Sequence, residues 1–405
     1  MTTTLAPAAP PGAGRRDHIR LIATLAGTQT IGYGVLSYSF SVLLPAIAAD
    51  LDVGRTAVTA AYTVSVLCSA AAAVPIGRIL DRYGGRALMT VGSALGAAAV
   101  LAWSGAQSIG TLYLAFALIG IASAMSLYEA AFPVLVATAG PARRTSAILT
   151  VTIVAGFASS IFFPLTGWLL DRYGWRHALL SLAVLLAATA IPAHAVAVPG
   201  RRIHTVHTVG DRSAATRAAL RDKTFWLLTA AFVANSAAIT MLSIHLITYL
   251  TGRGLAATTA ASLAGLLGIL SVTGRVTTSG FARRWTMLTI TAAVFAVQAV
   301  GATVLAFAGT TIGGAATGIV LFGLGFGVAT IARPAILADR YDTAAYATIA
   351  ATMAAPTIVA KASAPVAAAA APLMLLPILV GLCSAAAALT LAAAARRTIV
   401  NSTPS

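Results

Sequence analysis

Four ionisable residues interrupt the long apolar runs of this chain. Glu129 lies in "SLYEAAFP", Arg333 in "TIARPAIL", Lys361 in "TIVAKASAP" and His245 in "TMLSIHLITYL". Such side chains are costly in a hydrocarbon environment, and where they occur they mark binding sites, proton relays or gates. The four residues are therefore the first candidates for substrate binding and gating.

Glu129 and Arg333 occupy equivalent places in the two halves of the chain, about 16 and 12 Å below the end of their segments at 1.5 Å per residue. One hypothesis is an ion pair that forms an inner gate when the cytoplasmic side is shut. An alternative leaves Arg333 to hold a substrate anion, with Glu129 as the protonation site. In a third interpretation Arg333 reaches the lipid headgroups and Glu129 pairs within its own half, with Arg78 or Arg144.

Lys361 lies too deep in its apolar segment to reach the headgroups easily, so it is expected to face an aqueous cavity and a negative partner. No carboxylate is obviously placed for it, which points to an anionic substrate. His245 lies toward the outer end of its segment. It is either a second proton site or, as is more usual near a membrane surface, an interfacial residue.

Other polar residues recur at roughly helical spacing in two of the segments. These are Gln29, Tyr33 and Tyr38 near the N-terminus and Asn235 in the middle of the chain. Each either lines a cavity or forms hydrogen bonds between helices.

The composition assigns all of these residues to a membrane protein. Hydrophobic residues make up 59% and charged residues 9% of the 405-residue chain, against about 25% charged residues in soluble domains. The net charge of +16 comes from small arginine clusters without a basic helical face, which argues against nucleic-acid binding. Cys68 and Cys383 lie singly in apolar runs, and no phosphate loop or HExxH motif occurs, so we expect no metal, no cofactor and no enzyme.

Segments of about 20 apolar residues, enough to cross a bilayer core, occur twelve times in two sets of six. They fall near 20–44, 57–80, 87–105, 110–137, 145–169, 177–198, 224–250, 256–280, 285–309, 311–337, 345–368 and 372–395. The predicted fold is all-α, with two six-helix bundles in the lipid bilayer. Its parts are a disordered cytoplasmic N-terminus (1–18), the bundles (19–198 and 224–395), a basic cytoplasmic linker (199–223) and a cytoplasmic tail (396–405).

The distribution of basic residues predicts the orientation of the chain. With the N-terminus inside, twenty lysines and arginines lie in cytoplasmic segments and four in outer loops. Basic residues favour the cytoplasmic side. We therefore expect a multi-pass protein of the cell (inner) membrane with both termini in the cytoplasm.

One charged decapeptide occurs twice, as "GRILDRYGGR" (77–86) and "GWLLDRYGWR" (167–176). An odd number of crossings separates the copies, so they face opposite sides of the membrane, as in an inverted three-plus-three repeat. Partial echoes, "TSGFARRW" (278–285) and "ADRYD" (338–342), follow spans 8 and 10. The chain is therefore expected to use one three-helix unit four times.

The segment "PIGRILDRYGGR" resembles the signature loop of the major facilitator superfamily, between its second and third helices. The matching residues are Gly77, Asp81, Arg82, Gly84 and Arg86. The resemblance implies two six-helix domains that rock about a central site. It also implies that Asp81 meets a helix N-terminus of the opposite domain, braced by Arg82 and Arg86. The alternative is that these charges only fix the topology.

Two segments resemble a narrower branch, the oxalate/formate and monocarboxylate-type carriers. "AKASAP" is similar to their lysine segment, and Arg275 in "TGRVTTSG" is similar to their substrate arginine. The glycine after Arg275 falls one position later than in that pattern, and the acidic-glycine opening of span 1 is missing. Span 5 also lacks the GPxxGG pattern of drug/proton antiporters.

The sequence thus predicts a monomeric secondary transporter that works by alternating access and moves a small organic anion or metabolite with protons. An exporter of drug-like compounds is the alternative within this class. A transporter-like sensor or an integral membrane enzyme is the alternative from other classes, but the chain shows neither an added soluble domain nor clustered catalytic groups.

Overall fold

The structure is a computed structural model that describes residues 15–138, 144–200, 217, 219–282, 284–341 and 346–402. Within these residues the chain forms helices and turns only, which confirms the all-α prediction. Most helices are longer than 18 residues, which suits the roughly 30 Å core of a bilayer.

The first half of the chain contains spans 1 to 6. Their helices are Arg15–Tyr33, the π-helical turn Gly34–Tyr38 and Ser39–Asp50 (span 1), Arg55–Tyr83 (span 2), Gly85–Ser104 (span 3), Ile109–Ser126 and Tyr128–Thr138 (span 4), Arg144–Gly156 with the first part of Ala158–Ala197 (span 5), and the remainder of Ala158–Ala197 (span 6).

The second half contains spans 7 to 12. Their helices are Lys223–Gly252 (span 7), Ala257–Phe281 (span 8), Met287–Ala308 (span 9), Ile312–Gly323 and Val328–Arg340 (span 10), Tyr346–Ala370 (span 11), and Leu376–Ser402 after the short 3₁₀ turn Leu373–Leu375 (span 12).

Eleven stretches of the described residues are long and apolar enough to cross a membrane. One of them, 146–197, has 52 residues, which at 1.5 Å per residue is about twice what one crossing needs. Its backbone leaves the helical region at Gly174 (φ 76°, ψ 165°), so it comprises spans 5 and 6. The twelve-helix plan is consistent with this.

The two copies of the decapeptide have the same backbone turn. Gly84 (φ 82°, ψ 174°) ends span 2 as Gly174 ends span 5, in a region of conformation that is essentially restricted to glycine. The arginine two residues later caps a helix end in each copy. Arg86 Nε donates to Val198 O at the end of span 6 (2.8 Å), and Arg176 Nη1 donates to Ser104 O at the end of span 3 (2.9 Å). The inverted repeat predicted from the sequence is visible in these reciprocal contacts.

Some predicted segment ends differ from the structure. The helix of span 1 begins at Arg15, so residues 15–18 are helical and not disordered, and span 12 continues as helix to Ser402. A helix can continue into the headgroup region where its residues are charged or polar, because the heads of such side chains stay in water. Residues 1–14 of the leader and 201–216 of the linker lie outside the described residues.

The two halves pack against each other at one end of the bundle. We call the end that holds the turn at Gly84 the basic end, and the end that holds the turn at Gly174 the opposite end. Toward the opposite end, Val42 and Phe163 of the first half share a core with Met241 and Leu242 of the second. At the basic end, the two cores among the described residues each contain only one half. The halves are therefore closed at the opposite end.

Hydrogen bonds join the halves along two seams. Span 2 meets span 11, where Arg55 Nη2 donates to Ala369 O (2.9 Å) and Ala371 O (2.8 Å) and Thr63 Oγ1 donates to Ala362 O. Span 5 meets span 8, where Ser160 Oγ donates to Gly265 O (2.6 Å). These seams frame the space between the halves.

Candidate functional site

A cavity of about 330 Å³ lies between the two halves. Its walls come from spans 1, 2 and 4 of the first half and from span 11 of the second, including Tyr33, Tyr62, Glu129 and Lys361. A volume of this order is typical of small-molecule sites. Because both halves contribute to it, a movement of one half against the other would change access to it.

A second pocket, of about 280 Å³, lies at the basic end among Thr224, Leu288, Arg340 and neighbouring residues. Its lining is mostly apolar and belongs entirely to the second half. A rocking motion of the halves would not expose it alternately to the two sides. The cavity between the halves is therefore the candidate site.

Three spans near the cavity are irregular at membrane depth. Span 1 has its π-helical turn at Gly34–Tyr38, span 4 breaks at Leu127, and span 10 breaks at residues 324–327. Irregular backbone at this depth is tolerated where protein or a water-filled cavity surrounds it. Gly325 and Gly327 of the segment "LFGLGFG" (321–327) lie in the span 10 break.

The breaks in spans 4 and 10 each expose a carbonyl that a side chain from another span satisfies. Gln29 Nε2 donates to Ser126 O, the last residue before the break in span 4 (2.9 Å). Arg275 Nε donates to Gly327 O in the break of span 10 (3.3 Å). Broken membrane helices persist when freed backbone groups find such partners.

Glu129 lies in the first turn of the helix that restarts span 4. The positive end of the helix dipole favours a carboxylate at this position. Its side chain is exposed to the cavity and not packed into the core. The break at Leu127 thus positions the only glutamate of the chain on the cavity wall.

Lys361 faces the same cavity from span 11 of the other half and is likewise exposed to it. Glu129 and Lys361 are close enough to interact electrostatically. The sequence analysis found no carboxylate obviously placed for Lys361, whereas the structure brings Glu129 within electrostatic range of it. Its place across the cavity depends on how spans 4 and 11 pack, which the sequence does not encode locally.

The charges on the two sides of the cavity do not touch. The ion pairs within 4.0 Å among the described residues are Arg176–Asp50 and Arg340–Asp222, so Glu129 contacts neither Lys361 nor Arg333 directly. Arg333 is partly buried in span 10, interacts electrostatically with Lys361 and has further contacts of its own. Since the halves are closed at the opposite end, a Glu129–Arg333 gate at the basic end stays a prediction for the reverse state.

The aromatic and amide residues predicted for the cavity divide into two groups. Tyr33 lines the cavity, and its ring lies 4.7 Å from that of Tyr128. Gln29 and Asn235 are buried away from it, and Gln29 makes the hydrogen bond between helices described above. Tyr38 packs edge-on against Phe163. Of these four residues only Tyr33 belongs to the cavity.

His245 is buried and does not face the lipid headgroups as an interfacial residue would. Its ring is 1% exposed, and Nε2 lies 2.8 Å from Pro365 O of span 11, which fixes Nε2 as the donor. Nδ1 is buried and has no hydrogen-bond partner among the described residues. This hydrogen bond joins span 7 to span 11, two helices of the second half.

Arg275, the expected substrate arginine, is 9% exposed and does not line the cavity. Its guanidinium donates to Thr152 O of span 5 (2.7 Å), to Ser271 Oγ (3.1 Å) and to Gly327 O. With these bonds it joins the span 5–8 seam to the span 10 break. In this state its role is structural.

The structure describes most of the signature loop, but not the side chain of its aspartate. Gly77 and Asp81 lie in the last turns of span 2, but the Asp81 side chain is outside the described part of the structure. Arg82 lies over the Tyr83 ring (5.3 Å), and Arg86 bonds Val198 O. The clasp to a helix N-terminus stays a prediction.

Sequence reasoning missed two polar clusters. The ring of His194 in span 6 is 1% exposed and hydrogen-bonds Ser93 Oγ (2.8 Å) and Thr28 Oγ1 (3.0 Å), joining spans 6, 3 and 1. An ionisable residue in the apolar run "IPAHAVAV" was the signal for it. Both ring nitrogens have protein partners, so His194 holds helices together.

The second cluster lies at the basic end around Asp222, the N-cap of span 7. Its carboxylate accepts bonds from Thr224 N (2.9 Å), the Tyr341 hydroxyl (3.0 Å) and Arg340 Nε (3.1 Å). Burial alone would raise the pKa of Asp222, but these donors together lower it below its usual value. The "ADRYD" echo thus fastens the end of span 10 to the start of span 7.

A family profile and several solved structures each match most of the chain. The profile of the Major Facilitator Superfamily matches residues 27–359. No curated protein matches at a significant level.

Solved transporter structures share the fold over nearly the full chain. A bacterial homologue of the human lysosomal transporter Spinster, in an inward-facing and unoccupied conformation, is 16% identical with a TM-score of 0.71, covering 97% of this chain and 100% of that one. Its inward-facing and occupied form is 13% identical with a TM-score of 0.69, covering 96% and 97%. A mutant of the nucleoside transporter NupG is 12% identical with a TM-score of 0.74, covering 93% and 99%.

These identities show the fold alone, while the profile match covers most of the chain. Twelve helices in two halves, a cavity between them and the profile match agree with one another. The chain belongs to the Major Facilitator Superfamily, whose members are transporters and not enzymes.

Proposed function

We propose that this protein is a proton-coupled carrier that moves a small organic anion across the cell membrane by alternating access. One observation carries the proposal: Glu129 of the first half and Lys361 of the second face the same cavity without touching. The cavity lies within one chain, so a monomer is a sufficient functional unit.

Lys361 is the counter-charge for the substrate anion. An ammonium group at membrane depth is tolerated when it faces water or an opposite charge. Its exposure to the cavity leaves it accessible to a carboxylate. An anion bound there would replace the weak, through-space interaction with Glu129.

Glu129 is the proton site. A substrate anion beside it adds a like charge, which favours a proton on the Glu129 carboxylate. The anion and the proton then cross together, and the net charge of the cavity is the same empty and loaded. This gives symport a simple electrostatic cause.

The orientation of the carrier follows from the basic residues. Twenty of them lie at the basic end or in its loops by the sequence assignment, which places that end in the cytoplasm. The halves are closed at the opposite end. The described state is then the one that loads or releases substrate on the cytoplasmic side.

An exporter of drug-like compounds is the second candidate. Leu36, Val66 and Ile358 give the cavity apolar walls beside the Tyr33 and Tyr62 rings. Apolar and aromatic walls suit amphiphilic compounds. Such a compound would not need Lys361.

The test is transport in vesicles that contain purified protein and an internal pH-sensitive dye. A panel of monocarboxylates, dicarboxylates and cationic drugs is added to wild type, Lys361→Ala and Glu129→Gln. Lys223→Ala and Asp339→Asn serve as matched controls, because both residues lie at the basic end and outside the cavity.

Acidification by a carboxylate that both cavity variants lose and both controls keep supports the anion carrier. Uptake that stays intact in Glu129→Gln but no longer moves protons would assign the anion to Lys361 and remove proton coupling. A response to cationic amphiphiles alone, unchanged in Lys361→Ala, would support the exporter and reject the anion carrier.

A further inference from the structure

Four serine hydroxyls on the cavity wall have no hydrogen-bond partner in the described part of the protein. They belong to Ser37 of span 1, Ser65 and Ser69 of span 2, and Ser123 of span 4, and all are partly exposed to the cavity. Two neighbouring serines on spans 1 and 4 are satisfied locally. Ser39 Oγ donates to Val35 O, and Ser126 Oγ donates to Ala122 O.

The positions of the four serines give the cavity a polar side. Ser65 and Ser69 are one helical turn apart, so they lie on the same face of span 2. Ser37 and Ser123 approach from the two neighbouring spans. Lys361 belongs to the other half, so the hydroxyls and the ammonium group lie on walls contributed by different halves.

Free hydroxyls on an open cavity wall are hydrated, and they cost nothing until water leaves. Alternating access requires a step in which the halves close around the substrate. A hydroxyl that then lacks a partner carries a desolvation penalty. A site built of such groups selects a ligand that can bond them and rejects the analogue that lacks hydroxyls.

We propose that the substrate is a short carboxylate that carries several hydroxyl groups, an acid of the polyhydroxy or sugar-acid class. Its carboxylate binds Lys361, and its hydroxyls bond Ser37, Ser65, Ser69 and Ser123. This inference rests on the proposed function and names the substrate class within it. The four serines are specificity-determining residues.

The test compares acids of equal carbon number with and without hydroxyls. Threonate is paired with butyrate and gluconate with hexanoate, both as added anions in the vesicle assay and by calorimetric titration of the purified protein. We expect the hydroxylated acid of each pair to bind at least about tenfold more tightly, a factor that corresponds to about 1.4 kcal/mol.

The variant Ser65→Ala/Ser69→Ala removes two of the hydroxyls and keeps both cavity charges. It should weaken threonate binding about tenfold and leave butyrate binding unchanged or slightly improved. Ser181→Ala is the matched control, because Ser181 is exposed and its hydroxyl bonds its own helix at His177 O. Ser37→Ala/Ser123→Ala repeats the test if the first variant is not folded.

The possible outcomes separate a failure of this inference from a failure of the proposed anion carrier on which it rests. A preference for hydroxylated acids that collapses in the serine variant and persists in Ser181→Ala supports the inference. Equal transport of both acids of a pair, sensitive to Lys361→Ala, overturns the inference and leaves the anion carrier standing. Failure of every carboxylate to bind or move overturns both.

Discussion

Removing the Arg55 side chain should loosen the closed opposite end of the carrier. The guanidinium belongs to span 2 in the first half and donates to Ala369 O and Ala371 O at the C-terminus of span 11 in the second. The last carbonyls of a helix have no partner within the helix. A cation there also meets the negative end of the helix dipole.

The size of the effect follows from these contacts. Hydrogen bonds from a charged donor contribute about 1.5–3 kcal/mol each when fully protected. Arg55 is only partly buried, so we discount the two bonds to a combined ~1–3 kcal/mol. That free energy corresponds to an approximately 5- to 150-fold change in the equilibrium between the closed and open forms of this end.

The assay is a distance measurement between two spin labels at the opposite end. Suitable sites are Gln107, in the loop before span 4, and Thr310, in the loop before span 10; both are exposed. Cys68 and Cys383 are replaced first. In Arg55→Ala the long-distance population should rise by the factor given above, and transport should slow because one of the two end states is less accessible.

Arg176 supplies a chemically matched control. It too caps a helix end with its guanidinium, bonding Ser104 O and Ala106 O (both 2.9 Å), but both carbonyls belong to its own half. Arg176→Ala should lower the melting temperature without changing the distance distribution. An unchanged distribution in Arg55→Ala, or the same change in both variants, would refute the reasoning.

Three further predictions concern two glycine positions and the N-cap of span 7. Gly174→Ala should destabilise the protein by about 1–3 kcal/mol, since its conformation is essentially restricted to glycine, whereas Gly27→Ala, with open space at the added Cβ, should leave the melting temperature unchanged or raise it. In Gly327→Ala a Cβ would come within 2.5 Å of Arg275 Nε, so overpacking of about 1–3 kcal/mol should reduce folded yield and transport; wild-type behaviour would contradict the tight contact. Although burial alone would raise it, hydrogen-bond donors lower the pKa of the Asp222 carboxyl below its unfolded value of about 3.9. The carboxylate therefore stabilises the folded protein fully above that unfolded pKa. This stabilisation is lost as the pH falls through the pKa that Asp222 has in the folded protein. The Asp222→Asn variant should therefore have a lower melting temperature than wild type at pH 7, and the difference should shrink toward pH 3. A difference in melting temperature that does not change with pH would argue against a charge effect.

Much of the architecture was predictable because hydropathy and basic-residue placement act locally. The inverted repeat was also readable, since the same charged decapeptide reappears with the same glycine at the turn. Membrane solvent leaves few alternatives to a helix for an apolar segment of this length. Glu129, Lys361 and Tyr33 were found by the same logic, because polar groups at membrane depth are rare.

The partners of these residues were not predictable. The resemblance implied a substrate role for Arg275, whose guanidinium here bonds Thr152 O and Gly327 O. His245 was interpreted either as a proton site or as an interfacial residue, and it lies buried against Pro365 O. Both contacts depend on which face of one span meets another, and that of Arg275 also depends on the break in span 10.

The sequence by itself therefore determined the number of membrane spans, the repeat and the short set of charges that the bilayer makes costly. Only the tertiary structure decided that Glu129 and Lys361 share one cavity, that four serines with no hydrogen-bond partner among the described residues line it, and that the halves are closed at one end. The physical reason is that solvent and helix length act on each segment separately. Side-chain partnership depends on the mutual orientation of helices distant in the chain.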